Sequence, residues 1–265
     1  MVNAVNTWGA SEGVCNICGR YGPLTEDHIP PKGCIKIGQI QIHHIANHLS
    51  IEPPKGTVRK FQNGLKYKTL CGSCNNSLLG SQYDPEFIKF TNTISKILSS
   101  YRALPAQTSI RIKPQRVIRS LLGHIAAQGV GRFDKGRQTD IITSYLLNKN
   151  EPLPDFLNIY YWIYPYQNQV LTRDSVLTNL RVGEPVYIWL IKFFPIAFFV
   201  TWDEPKGYNF NLFLDSLSSY RNLAIDDEAD VNVGFNNLPN QFWPEAPTDD
   251  TILAYGEEAI ATIRK

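Results

Sequence analysis

Four of the five cysteines in this 265-residue chain stand in two Cys-x-x-Cys pairs, Cys15-Asn-Ile-Cys18 and Cys71-Gly-Ser-Cys74. Each spacing lets both sulfurs of a pair face one ion, and four thiolates provide the tetrahedral shell that zinc prefers. A shell of four protein sulfurs leaves no open position, so the expected zinc is structural and its binding free energy supports folding. The 52 intervening residues must leave and return, so the ion would staple a whole subdomain. With one further cysteine, Cys34, the pattern points to metal in a reducing compartment rather than to disulfides. Cys34 reads as a small buried residue. Between the pairs lies Leu24-Thr-Glu-Asp27-His28-Ile-Pro-Pro-Lys32. An Asp-His pair at a strand end sets a hard metal ligand beside a general base, and imidazole suits that task because its ordinary pKa is near neutral. The plainer alternative is a surface turn.

The order Cys-x-x-Cys, then Asp27-His28-Ile-Pro-Pro31, then Leu70-Cys71-x-x-Cys74-Asn75 closely resembles HNH endonucleases of the ββα-metal type that carry a zinc knuckle. The resemblance spans about residues 12–90. It implies that Asp27 is the first ligand of a catalytic Mg²⁺ or Mn²⁺, and that His28 deprotonates a water for in-line attack on a phosphodiester. It also implies that Asn75 occupies the slot of the second metal ligand, filled by His or Asn in that family, on the helix that completes the motif. Asn63 is the candidate for the middle Asn that orients His28, and it stands a few residues further from the cysteines than the usual pattern. The implied activity is metal-dependent hydrolysis of DNA, in keeping with bacterial restriction or phage defence. The alternative is a non-cleaving zinc-knuckle nucleic-acid-binding or adaptor subunit of a larger complex. Loss of the Asp27, His28 or Asn75 types would mark that alternative, and all three are present. Asn75 also suits a helix cap, and Asp84 is close enough in sequence to reach the site, although its place before Pro85 suits a cap as well.

A net charge of +2 hides an asymmetry: residues 1–149 carry 19 Lys and Arg against 8 Asp and Glu, whereas residues 150–265 carry 7 against 16. The balance of +11 against −9 assigns any polyanion to the first part. Lys32, Arg116 and Arg119 are the candidate nucleic-acid contacts. The last two belong to a basic run with Arg111, Lys113, Arg132, Lys135 and Arg137, which reads equally well as a solvated helix face. His44 and His48 would share a helix face and could hold a metal, or belong with His43 to a binding loop; His124, among apolar residues, reads as a satisfied core histidine. The aromatics Tyr160–Tyr164 read as core more readily than as a base-stacking platform.

With 43% hydrophobic residues the chain can pack a core. Turn formers dominate 13–34, with a short strand near Pro23–Glu26. Residues 35–63 lack a period, and Pro53-Pro54 and Gly56 suggest a long loop. Asn63-Gly64 reads as a turn into a strand at Leu65–Leu70. Helices are expected over Asp84–Arg102, Pro114–Gln128, from Gly136 or Asp140 to Leu147, and near Asp250–Ile263. Strands are expected at Leu157–Tyr164, Gln169–Thr172, Val186–Lys192 and Ile196–Trp202. The apolar stretch Val186–Trp202 is broken by Lys192 and Pro195 and falls short of the roughly 20 residues of a membrane span, so a cytoplasmic protein without a membrane partner is expected. The fold class is α+β: a zinc-stapled ββα-metal module over 1–100, then an α+β part with an antiparallel sheet over 101–265. That second part would serve substrate selection, sensing, or pairing with another copy or a partner subunit. The shift from helix to strand near 150 marks either an internal boundary or the middle of one α+β domain.

Overall fold

The computed structural model describes residues 7–50, 59–100, 103–131, 134, 136–181, 183–203, 207–236, 238–247, 250–256 and 258–264. In chain order the elements are β1 (Glu12–Val14), β2 (Tyr21–His28), β3 (Ile40–His44), α1 (Ile45–Leu49), β4 (Arg59–Phe61) and β5 (Lys66–Cys71). A π-helical stretch, Ser73–Tyr83, then runs without interruption into α2 (Asp84–Ser100). Next come β6 (Gln107–Ile112), α3 (Pro114–Ala127), α4 (Arg137–Leu147), β7 (Leu157–Ile163), β8 (Gln169–Asn179), β9 (Pro185–Phe193) and β10 (Ile196–Trp202). The chain closes with β11 (Asp215–Ser216), β12 (Ala229–Gly234), β13 (Thr251–Ala254) and β14 (Ile260–Arg264). The protein is thus mixed α+β with antiparallel sheets.

Three sheets form. β1, β2 and β5 make a small antiparallel sheet in which Leu24 faces Cys71 at one end and His28 faces Lys66 at the other. The largest sheet has nine described strands in the order β11-β7-β10-β9-β8-β14-β3-β4, with β13 also on β8. β6 and β12 form a separate pair. The centre of the large sheet is built from β-branched and aromatic residues, and every residue of β10 is buried, which accounts for its near-continuous apolar sequence.

Helix α3 opens on Pro114 at its first position, where the missing N–H costs nothing. It packs against β2, β5, the π-helical stretch, α2, α4, β8 and β9. Wedged this way it has almost no solvent face, and Arg119, Ser120 and His124 are buried together with Val117, Leu121, Leu122 and Ile125. Gly123 permits the close approach, because a Cβ there would lie 2.4 Å from Cδ2 of Leu79.

Two expectations are corrected. Residues 35–63 are not one long loop: β3 and β4 form there and join the large sheet through β14. The final helix near 250–263 is absent; Thr251-Ile-Leu-Ala and Ile260-Ala-Thr-Ile are rich in β-branched residues and complete the sheet against β8 and β3. One buried cluster includes residues from Cys15 to Ile260, and a second gathers around the aromatic strands. Pro53, Pro54, Gly56, Arg132 and Lys135 lie outside the described residues. Among the described residues no helix is long and apolar enough to cross a membrane, and the Val186–Trp202 stretch forms β9 and β10.

Candidate functional site

The four paired cysteines converge at one end of the β2–β5 hairpin, with their sulfur atoms within 4.8 Å of one another. Cys15 and Cys18 lie in the turn between β1 and β2. That turn is closed by Gly19, at φ +70°, whose N–H donates to the Cys15 carbonyl at 2.9 Å. Cys71 ends β5, and Cys74 sits in the first turn of the helix that follows. Cys18 and Cys71, from different pairs, stand 3.8 Å apart. Hydrogen bonding from Cys74 draws the Cys15 thiol down to about 4, so the cluster already offers a thiolate, the form of sulfur that binds metal. An all-sulfur donor set of this size fits a metal ion such as zinc. The knuckle is anchored by Asn16, whose amide donates to the Ala126 and Gly129 carbonyls at 3.0 Å each, and by Thr69, whose hydroxyl donates to the Ala127 carbonyl at 2.6 Å. These bonds satisfy carbonyls at the end of α3 that the helix itself leaves open. Cys34 is buried apart from the cluster, and burial pushes its thiol up.

At the other end of the hairpin, β2 finishes on Asp27 and His28. Asp27 is buried and His28 half-buried. Nε2 of His28 lies 3.2 Å from the backbone carbonyl of Asn63. A carbonyl only accepts, so Nε2 carries the proton and Nδ1 the lone pair. Asn63 thus meets the ring through its main-chain carbonyl. Gly64 beside it holds φ +72°, a left-handed conformation that suits glycine and turns the carbonyl toward the ring. Burial first, and then the nearby Lys66 ammonium, pull the His28 pKa below its ordinary value.

Asn75 lies in the first turn of the π-helical stretch and does not cap it. Its amide nitrogen donates to Thr25 Oγ1 at 3.0 Å and to the Glu26 carbonyl at 2.9 Å, which binds the helix start to the strand beside Asp27. Among the described residues neither Oδ1 of Asn75 nor Oδ1 of Asp27 has a hydrogen-bond partner. Two hard oxygen donors are therefore open beside a half-buried imidazole.

The second oxygen of Asp27 is taken. Nδ1 of His124, on α3, lies 2.8 Å from Asp27 Oδ2, and its Nε2 lies 2.9 Å from Asp84 Oδ1. Ser120 donates to that same Asp84 oxygen at 2.7 Å. Burial opposes a charge on the His124 ring, yet the two carboxylates hold its pKa up at about 10. Burial likewise works against the Asp84 charge, but His124 and Ser120 keep its carboxyl below the usual range. Asp84 stands inside a continuous helix with φ −58° and ψ −36°, so the capping expectation is corrected. His124 is the satisfied core histidine that its apolar neighbours suggest. A buried imidazole must find partners, but nothing in its spacing names Asp27 as one of them.

The basic run is only partly outward: Arg111 and Arg137 are exposed, Lys113 and Arg116 are half-buried, and Arg119 is buried. Arg119 is 1% exposed, with its guanidinium 3.8 Å from the Tyr145 ring centre, and it donates to the Asn148 and Glu151 carbonyls at the end of α4. As a nucleic-acid contact it is therefore corrected. Arg116 donates to Asp226 and to the Gln82 carbonyl, while Arg111 and Lys113 pair with Glu228, Asp230 and Asp226. Acidic residues of the later part of the chain thus pair with Arg111, Lys113 and Arg116. Lys32 is exposed, and Lys66, which spacing did not single out, stands opposite His28. His44 bonds Ala46 and Gly256 and His48 packs on Phe242; among the described residues the cysteine set is the one group of three or more potential metal ligands that gathers closely. Tyr160, Tyr161, Trp162 and Tyr164 are buried.

No protein-family model, curated protein or solved structure matches this chain.

Proposed function

We propose that the chain is a metal-dependent endonuclease of the HNH type that hydrolyses phosphodiester bonds of DNA, with the four cysteines holding a structural zinc. The observation that carries this reading is the meeting of Asp27, His28 and Asn75 where β2 ends and the helix after β5 begins. One oxygen of each of Asp27 and Asn75, and the Nδ1 of His28, are left open there. A carboxylate and an amide oxygen are ligands of the kind Mg²⁺ and Mn²⁺ take. When bound, such an ion supplies charge stabilisation for the scissile phosphate and the leaving 3′ oxygen.

The remaining work falls to side chains and backbone of the chain. The Asn63 carbonyl fixes the tautomer and orientation of His28. Nδ1 accepts a proton from the water that attacks in line, a role worth about 10²–10⁴ in rate. The lowered pKa keeps His28 neutral, and so competent as a base, at neutral pH. Lys32 and Lys66 are both near enough to lower the His28 pKa and supply positive charge for a phosphate backbone.

The test is cleavage of supercoiled plasmid by wild type and by His28→Ala, with Mg²⁺ or Mn²⁺ and with the divalent ion chelated, zinc content being measured on both proteins. The expected result is divalent-dependent nicking by wild type, with His28→Ala retaining its zinc and losing about 10²–10⁴ in rate. Equal rates for the two proteins overturn the assignment of the base. Failure of wild type to cut under every condition overturns the reading as a whole.

A further inference from the structure

His124 comes from a helix 97 positions downstream of Asp27, yet it makes the one side-chain hydrogen bond that Asp27 has among the described residues. The ring is itself held from the far side. Its Nε2 meets Asp84 at 2.9 Å, and Asp84 is held in turn by Ser120 at 2.7 Å. The side chains of His124, Asp27 and Asp84 are 1%, 7% and 12% exposed, so water does not compete for these bonds. Asp84 belongs to the same uninterrupted helix whose first turn carries Asn75. The imidazole is therefore a strut between the strand that bears Asp27 and the helix that bears Asn75. The packing around it agrees, because Gly123, its neighbour, lets α3 sit directly against Leu79 midway along that helix.

We propose that His124 is a positioning residue for the catalytic metal site: it binds Oδ2 of Asp27 and turns Oδ1 toward the ion. This rests on the reading of Asp27 and Asn75 as metal ligands. An aspartate at a strand end has two freely turning side-chain bonds. A ligand oxygen must present its lone pair in one direction, and partners behind the ligands of metal sites impose that direction. His124 is the group behind Asp27. The assignment ties the site to α3, well beyond the segment that bears the cysteines and the Asp-His pair.

The two ring nitrogens make the proposal testable, because Asn and Gln each replace one of them. The amide nitrogen of Asn stands near the position of Nδ1, and that of Gln near the position of Nε2. His124→Asn therefore keeps the bond to Asp27, and His124→Gln keeps only the bond to Asp84. Zinc-loaded full-length wild type, both variants, Ser120→Ala and Asp27→Asn would be titrated with Mn²⁺. Free Mn²⁺ would be followed by electron paramagnetic resonance, and thermal unfolding and zinc content recorded for each protein. Wild type is expected to bind a Mn²⁺ ion that Asp27→Asn does not. His124→Gln is expected to weaken that binding about 10–100-fold, whereas His124→Asn and Ser120→Ala stay near the wild-type affinity whatever they lose in melting temperature. Equal affinities for His124→Gln and wild type overturn the proposal, as do losses in all three variants that simply follow their melting temperatures. Cleavage by wild type, assayed in parallel, separates the two readings. Wild type that cuts while His124→Gln binds Mn²⁺ normally removes the strut and leaves the nuclease. Wild type that binds Mn²⁺ in the expected variant order but cuts nothing keeps the strut and removes the nuclease. If wild type binds no Mn²⁺, both fall.

Discussion

The β2–β5 hairpin carries a cluster of ligating side chains at each end, and the two clusters are assembled in unlike ways. At the end where Leu24 faces Cys71, four sulfurs from two four-residue motifs gather within 4.8 Å. Most of the required geometry is local, because a Cys-x-x-Cys turn already aims two thiols at one point. At the end where His28 faces Lys66, Asp27 and His28 are neighbours in sequence. The groups that orient them are the Asn63 carbonyl, the Asn75 amide on the following helix, and His124 on α3. One end closes on itself and the other stays open. A closed shell suits structure, whereas open oxygens and a half-buried imidazole suit a substrate that must arrive and leave.

This contrast can be broken experimentally, and the largest effect is expected at the closed end. Cys74→Ser removes one of the four sulfurs that would hold the proposed zinc, and apparent zinc binding in such shells is worth about 10–16 kcal/mol. The variant should lose its zinc and the cooperative unfolding of the hairpin, read by metal analysis and calorimetry. If it melts like wild type, the closed end is not what holds the hairpin. Gly123→Ala has a smaller effect that reaches the open end only. Its new Cβ meets Leu79 at 2.4 Å, and relieving such overpacking costs about 1–3 kcal/mol. The variant should retain its zinc while its Mn²⁺ affinity falls, since α3 is pushed away from the helix and carries His124 with it. Zinc loss with unchanged Mn²⁺ binding would reverse the comparison.

The finest effect concerns pH. Burial and Lys66 lower the His28 pKa, so the base form persists below the ordinary value of about 6.5, and the acid limb of the cleavage rate should lie under that pH. Lys66→Ala removes one of the lowering causes. The His28 pKa then rises and the limb moves to higher pH, by well under one unit for a partly exposed charge. Initial rates between pH 5 and 8 for the two proteins measure it. A shift in the opposite direction would mean that another group governs the limb.

Much of the secondary structure was legible from sequence, and the misses share a cause. Helices α2, α3 and α4 and strands β7, β9 and β10 fall near the expected ranges, because Asp84-Pro85, Pro114 and runs of aromatic and β-branched residues carry local signals. The strands in 35–63 and the last two strands were not legible. β3 and β14 exist because they pair with each other, a partnership across the whole chain that neither segment announces alone. The basic run misled for a similar reason. A solvated helix face was one reading of that run, but the small sheet on one side and the large sheet on the other leave α3 almost none. Arg119 therefore caps α4 and Arg116 pairs with Asp226.

By itself the sequence determined which atoms could bind: the sulfurs of Cys15, Cys18, Cys71 and Cys74, the Asp27-His28 pair, and Asn75 just past the last cysteine. These are matters of residue type and short spacing, and both survive any packing that keeps the turns. Only the tertiary structure decided which of those atoms stay open. Whether Asp27 presents one oxygen or two depends on His124 arriving from α3, and whether His28 offers Nδ1 or Nε2 depends on the Asn63 carbonyl. The physical reason is that a hydrogen bond in a buried site acts over about 3 Å, and only folding brings groups so far apart in sequence to that distance.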